Sequence, residues 1–210
     1  MTKTLPTDAI LTAWAAGQRE FGENRPEEGA EKIPMIADAL SGGLPTWHMI
    51  GHVQQRKCPL VIKHFGIVHS VDRGELGERL SRLAMEAGRS LPVLLECNVS
   101  GESSKYGYAV TGWEHEPGTR DAFYEAVLRL TRLPGLQIQG LMTIAPMVAD
   151  PEQARPVFAS LRRLRDAVCE HIPELAWPHL SMGMSDDFEV AIEEGATMVR
   201  VGRAIFGERR

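Results

Sequence analysis

The sequence predicts one parallel α/β domain, either a closed barrel of strand–helix units or an open doubly wound sheet. Two observations carry this. Seven short β-branched or apolar runs alternate with longer stretches of helical spacing along the chain. Strand–helix–strand order at that spacing implies parallel pairing, because parallel neighbours need a crossover helix. The length, 210 residues with 43% hydrophobic and 24% charged side chains, suits a single domain with a sizeable core. No linker or internal repeat interrupts the alternation. Eight such units close a barrel; the open sheet is the alternative.

Taken in order, Met1-Thr2-Lys3 reads as a strand end. Pro6-Thr7-Asp8 opens a helix, since proline fits a first turn, and Ile10, Leu11 and Trp14 form its apolar side. Arg19–Gly22 and Trp47–Ile50 are the first two full strand candidates, followed by Ile67–Val71 and Val93–Val99. Between the latter pair a helix from Asp72 to Gly88 turns Leu76, Leu80 and Leu83 inward. Ser100 to Thr119, rich in Gly, Glu and Tyr, is long enough for a functional loop, with Tyr106 and Tyr108 expected on its surface. Leu136–Met142 is the next strand. Val157, Leu161, Leu164, Val168 and Ile172 mark the clearest amphipathic helix, whose solvent face holds Arg162, Arg163, Arg165 and Asp166. His179–Ser181 and Met198–Val201 complete the strands.

Composition narrows the function. With 23 basic and 28 acidic residues the formal charge is −5, which argues against nucleic acid or an anionic membrane as the main partner. No apolar run approaches the ~20 residues of a membrane span, and MTKTLPTDA lacks the apolar core of a signal peptide. Cys58, Cys97 and Cys169 are too few and too scattered for a disulfide framework. A cytoplasmic protein is expected, as a monomer or weak dimer.

In parallel α/β folds ligand groups gather at the C-terminal ends of strands. Those ends hold Lys3, Asn24, His52, Asn98, Thr143, the run Ser181-Met182-Gly183-Met184-Ser185-Asp186-Asp187, and Arg200-Val201-Gly202-Arg203. The Ser181–Asp187 run passes from a strand through a glycine turn into a helix with a Ser or Asp cap, where free N–H groups and the helix dipole would favour a phosphate. Gly202-Arg203 after the last strand offers a second such place. A helix cap and a glycine turn without a ligand would have the same pattern. Lys3, just before a proline-started helix, could attack a carbonyl as an amine if desolvation removed its proton. His48, His52 and His64 lack a carboxylate at ligand spacing and are expected to pack or hydrogen-bond rather than hold a metal.

Several runs together resemble the pyridoxal phosphate (PLP) homeostasis proteins, which share the alanine racemase N-terminal barrel. They are Phe21-Gly22-Glu23-Asn24, Trp47-His48-Met49-Ile50-Gly51, Ser70-Val71-Asp72, Asn98-Val99-Ser100-Gly101-Glu102, Gly140-Leu141-Met142-Thr143, Leu180-Ser181-Met182-Gly183-Met184-Ser185, Val199-Arg200-Val201-Gly202 and Ala204-Ile205-Phe206-Gly207. The resemblance covers essentially the whole chain. It implies a TIM-like barrel that holds PLP as a Schiff base on Lys3, since Met1-Thr2-Lys3-Thr4 is similar to the family's lysine motif. It further implies that Ser181, Met182, Gly183, Gly202 and Arg203 surround the phosphate, that Arg200 approaches the pyridine nitrogen, and that Asn24 lines the ring. An arginine there disfavours ring protonation, so the implied role is to bind and supply the cofactor, with PLP-dependent apo-enzymes as recipients, rather than to turn over a substrate.

Two departures accompany the resemblance. Arg203 stands where the family usually has threonine, and a partly exposed side chain is expected there. The family's first helix and most of its first strand are missing, so the natural protein is expected to start upstream of Met1, leaving here a barrel short of one strand with two unpaired edges. Two other functions fit the same fold. An amino-acid racemase would need a tyrosine base from a second domain after Arg210; a Schiff-base phosphosugar lyase would explain none of the joined motifs.

Overall fold

The computed structural model describes residues 1–207. Helices and strands alternate: α1 (Thr7–Ala15), β1 (Glu20–Glu23), α2 (Pro26–Ala39), β2 (Thr46–Met49), α3 (Cys58–His64), β3 (Ile67–Val71), α4 (Gly74–Glu86), β4 (Leu91–Asn98), β5 (Tyr108–Ala109), α5 (Pro117–Thr131), β6 (Leu136–Met142), α6 (Arg155–His171), β7 (His179–Met184), α7 (Phe188–Glu193), β8 (Met198–Arg200) and α8 (Arg203–Phe206). The seven main strands run parallel in the order β1-β2-β3-β4-β6-β7-β8. The sheet curls into a nearly closed barrel of the expected type whose end strands, β1 and β8, are not laddered to each other.

The packing follows from alternation along the strands. In β4, Val93, Leu95 and Cys97 enter the apolar layer beneath the helices, while Pro92 lines the barrel interior. Period-two geometry places Leu94 and Glu96 on that interior side as well. The outer layer is completed by Leu76 and Leu80 of α4, Val127 and Leu130 of α5, and Phe158, Leu161, Leu164 and Val168 of α6, all buried. Ile172, the last residue of the expected α6 stripe, is the C-cap rather than a helical residue. Among the described residues no helix is long and apolar enough to cross a membrane.

Four expectations need correction. Met1-Thr2-Lys3 is not a strand: Thr2 carbonyl accepts from Leu5 N–H at 3.0 Å, closing a tight turn with Lys3 and Thr4 at its tip. The turn still plugs the upper gap, for Thr2 N–H donates to Gly22 carbonyl of β1 at 2.9 Å and the Met1 amino group to Val201 carbonyl at 2.5 Å. The long loop hides β5, which pairs with Cys97 and Asn98; Tyr108 is therefore half-buried against Phe123 and only Tyr106 is exposed. Helix α4 begins at Gly74, because Arg73 is extended (φ −164°, ψ 160°). Finally, β7 runs on through Gly183 to Met184, and no Ser or Asp side chain caps α7; Asp187 instead turns back to accept from Met184 N–H at 2.6 Å.

Candidate functional site

The C-terminal strand ends bring most of the expected residues into one neighbourhood. The Thr2–Leu5 turn is tied to β1 through Thr2 and, through the preceding Met1, to the residue after β8, and it carries Lys3 half-buried. Gly202 neighbours Met1 at ordinary van der Waals distance, an added Cβ lying 3.4 Å from its carbonyl oxygen. The turn is held from below by Lys32, whose ammonium donates to Thr2 carbonyl at 2.9 Å and pairs with Glu23 and Glu28. Glu28 in turn accepts from Thr4 N–H at 2.5 Å. Thr4 has φ 62°, the one non-glycine in the left-handed region among the described residues. A β-branched residue there costs on the order of 1–3 kcal/mol, so the network around Lys32 holds Lys3 on a strained turn. Among the described residues no hydrogen bond or ion pair engages the Lys3 ammonium.

Asn24, just past β1, is pressed against the loop after β2: an added Cβ on Gly51 would come within 2.3 Å of Asn24 carbonyl oxygen. Only glycine permits that approach. Ser70 hydroxyl pins the same loop by donating to Gly51 carbonyl at 2.6 Å.

Arg200 is the buried cation of the site, 6% exposed. One terminal nitrogen donates to Ser181 hydroxyl at 2.7 Å and the other to Thr143 carbonyl at 2.7 Å. Burial pushes its guanidinium down to about 10, opposed by the charges of Glu96 and Asp187. Ser181 is fully buried in the barrel interior and also contacts His69 Nδ1 at 2.9 Å. Beyond it, Gly183 holds φ +90° with Ala191 and Phe188 packed onto it, so the strand continues where a side chain would collide. The hydroxyl that meets the loop after β8 is that of Ser185, which accepts from Gly202 N–H at 3.2 Å.

Two expected site residues contribute less than their side chains suggest. Met182 points outward into the apolar core, so only its backbone faces the strand end. Arg203 is 47% exposed at its side chain and pairs with Asp186.

Thr143, expected at a strand end, contributes its carbonyl to Arg200 and its hydroxyl to Cys97 carbonyl at 2.7 Å. Sequence reading missed three contributors. His69 lies within a recognised strand but on its interior side, beside His48 and Ser181. Glu20 closes the same row by meeting His48 Nε2 at 2.6 Å. Glu96 is buried with Oε2 lacking a partner. A signal existed for the histidine and the glutamate: a polar side chain at an inward position of an otherwise apolar strand. His52 contacts Asp72 at 2.9 Å and stacks on Tyr106.

The alanine racemase N-terminal domain family model matches residues 6–210. Pyridoxal phosphate homeostasis proteins of Vibrio alginolyticus and Pseudomonas aeruginosa are 40% and 42% identical to this chain over 209 and 210 residues. Those alignments cover all of this chain and 84% and 83% of the relatives. PipY of Synechococcus elongatus, solved with PLP bound, superposes with a TM-score of 0.85 at 36% identity, covering 98% of this chain and 90% of PipY. An alanine racemase of Clostridium difficile shares the fold at a TM-score of 0.73 and 12% identity, over 99% of this chain and 51% of the racemase. With a family model spanning nearly its whole length and relatives this similar over all of it, the chain belongs to the pyridoxal phosphate homeostasis proteins, within the alanine racemase N-terminal domain family.

Proposed function

We propose that this chain is a cytoplasmic PLP-binding protein of vitamin B6 and amino-acid homeostasis, holding the cofactor on Lys3 without dedicated turnover. The observation that carries the reading is the strained Thr2–Leu5 turn, which fixes Lys3, unpartnered among the described residues, two residues after Met1, the neighbour of Gly202 at the strand ends. The residues around it fit the group: a buried arginine for the ring, glycines where the backbone must come close, and hydroxyls on β7 and its following loop. When bound, PLP supplies an aldehyde that condenses with an amine and a ring that withdraws electrons. Arg200, kept charged, disfavours a proton at the ring nitrogen and so weakens that withdrawal. Asn24 would border the ring; Ser185, Gly183 and the backbone of Met182, Gly202 and Arg203 would meet the phosphate, while Ser181, expected there too, supports Arg200 from within the barrel. PLP-dependent apo-enzymes are the recipients this role implies. That relatives carry the homeostasis name favours a carrier, and Arg200 rather than a carboxylate at the ring position disfavours transamination.

Borohydride reduction of the protein mixed with PLP, followed by peptide mass spectrometry, tests the assignment. The pyridoxyl mass should fall on Lys3, and Lys3→Ala should lose the yellow colour. Colour retained by that variant would overturn the site.

A further inference from the structure

A small cavity of about 130 Å³ opens at the C-terminal end of β4, walled by Glu96, Asn98, Ser104, Lys105, Tyr106 and Ile144 among others. Glu96 is its buried member, 6% exposed, and Glu96 Oε2 has no hydrogen-bond partner among the described residues. Ser104 and Tyr106 are exposed, so the other side of the wall meets solvent. The Tyr106 ring is held there by stacking on His52, with centroids 3.9 Å apart.

Donors in this wall are spent, whereas acceptors are not. The Lys105 ammonium has three protons and three acceptors: Ile144 carbonyl at 3.0 Å, Ser100 Oγ at 3.4 Å, and the Glu102 carboxylate as its ion-pair partner. Asn98 Nδ2 donates to Glu102 carbonyl at 2.9 Å, and Asn98 Oδ1 accepts from Gly101 N–H at 2.9 Å. Glu96 Oε2 and the hydroxyls of Ser104 and Tyr106 stay unbonded among the described residues. An anion would find no free N–H here; a ligand rich in donors would. The charges point the same way. Lys105 is neutralised by Glu102, and Asp72 is flanked by His52 and Arg73. Arg200, which faces Glu96 electrostatically, gives its terminal nitrogens to Ser181 and Thr143. An ionised Glu96 therefore has no counter-ion in contact, and a buried charge without one is costly.

We propose that this cavity binds the primary ammonium group of a small amine, with Glu96 as its anionic acceptor and the Ser104 and Tyr106 hydroxyls as neutral ones. The site needs no cofactor and stands apart from the Lys3 assignment. An ammonium brings three donors to three acceptors, and its charge supplies the missing counter-ion. Glu96 must be ionised to serve. Burial, then the charge of Asp72, pushes its carboxyl up to about 7 against the pull of Arg200. The charged and titratable groups around it are Asp72 after β3 with His52 and Arg73 beside it, Arg200 on β8, Cys97 on β4, and Lys105 with Glu102 in the following loop. The amine thus competes with a proton for Glu96. Affinity should be level above about pH 7 and fall about tenfold per pH unit below it.

Urea unfolding in methylammonium chloride tests this, with tetramethylammonium chloride at equal ionic strength as the control, since that cation has the charge but no N–H. At pH 8 methylammonium should raise the urea midpoint of the wild type beyond the control, along a curve that saturates. At pH 5.5 half-saturation should need about 30-fold more amine. Glu96→Gln keeps the shape of the side chain and should abolish the difference between the two salts. The same group ends a lysine side chain, so Nα-acetyl-lysine methylamide is run alongside. Tighter saturation by methylammonium assigns the site to a free amine, and tighter saturation by the lysine derivative assigns it to a side chain reaching in. Equal effects of the two salts, a difference that survives Glu96→Gln, or a wild-type affinity unchanged between pH 8 and 5.5 overturns the site. The pH arm needs no variant, and none of these results bears on PLP at Lys3.

Discussion

Glu96→Gln should stabilise the protein in a pH-dependent way. Glu96 occupies an inward position of β4, is 6% exposed, and leaves Oε2 unpartnered. Burial above all, then the charge of Asp72, pushes its carboxyl from 4.5 up to about 7 against the pull of Arg200. A carboxyl whose folded pKa exceeds its unfolded one binds its proton more tightly in the native state. Stability contributed by that proton is complete below pH 4.5 and is lost as pH rises through about 7. At ~1.4 kcal/mol per pH unit the loss reaches about 3 kcal/mol above neutrality. Glutamine keeps the shape and never ionises, so it escapes the loss. Urea unfolding of both proteins at pH 4.5, 6 and 8 measures it. The variant's advantage should be near zero at the lowest pH and about 3 kcal/mol at the highest, with unchanged m-values. An advantage independent of pH, or a wild type that gains on the variant as pH rises, would refute the argument.

Other perturbations follow from close packing and burial. Gly183→Ala should cost about 2–4 kcal/mol, since the new Cβ lies 2.6 Å from Ala191 Cβ with φ at +90°. Gly118→Ala in the first turn of α5 meets nothing within 4 Å and should be neutral or gain up to about 1 kcal/mol; equal effects in urea melts would contradict both. Of the three thiols, Cys58 and Cys97 are buried and pushed up by desolvation, whereas Cys169 is partly accessible. An aromatic disulfide reagent should label one thiol per chain under native conditions and three in denaturant, with mass spectrometry placing the native label on Cys169.

Which parts are legible in the sequence depends on whether the causes are local. Ile67–Val71 and Leu136–Met142 are readable to the residue because each is an apolar run starting just after a glycine, Gly66 or Gly135. Helix α6 is readable from its 3.6-residue period. By contrast β5 is two residues that extend only because the end of β4 offers a free edge. Gly183 signals a turn, yet tertiary packing keeps it inside β7. The site divides the same way. Lys3, Asn24, Arg200 and Gly202 follow from strand ends and motif resemblance, whereas the polar row does not. Its members lie on β1, β2, β3, β7 and β8 and meet across separations of 28, 21, 112 and 19 residues.

The polar row and the orphaned carboxyl have one cause. Barrel interiors of this class are usually filled by branched apolar side chains, and polar atoms there are costly unless bonded. Arg200 sits closest to both features, and its two terminal nitrogens are committed to Ser181 and Thr143. It therefore reaches Glu96 through its field and not through a hydrogen bond. Were Arg200 to swing toward Glu96, the carboxylate would be satisfied, but Ser181 would lose the donor that fixes its oxygen and the row to Glu20 would lose its cationic end. The fold keeps the row intact and leaves Glu96 to answer by holding a proton. For the anionic cofactor proposed above, that choice keeps a fixed positive charge at the strand ends and, below about pH 7, a neutral carboxyl rather than a second negative charge.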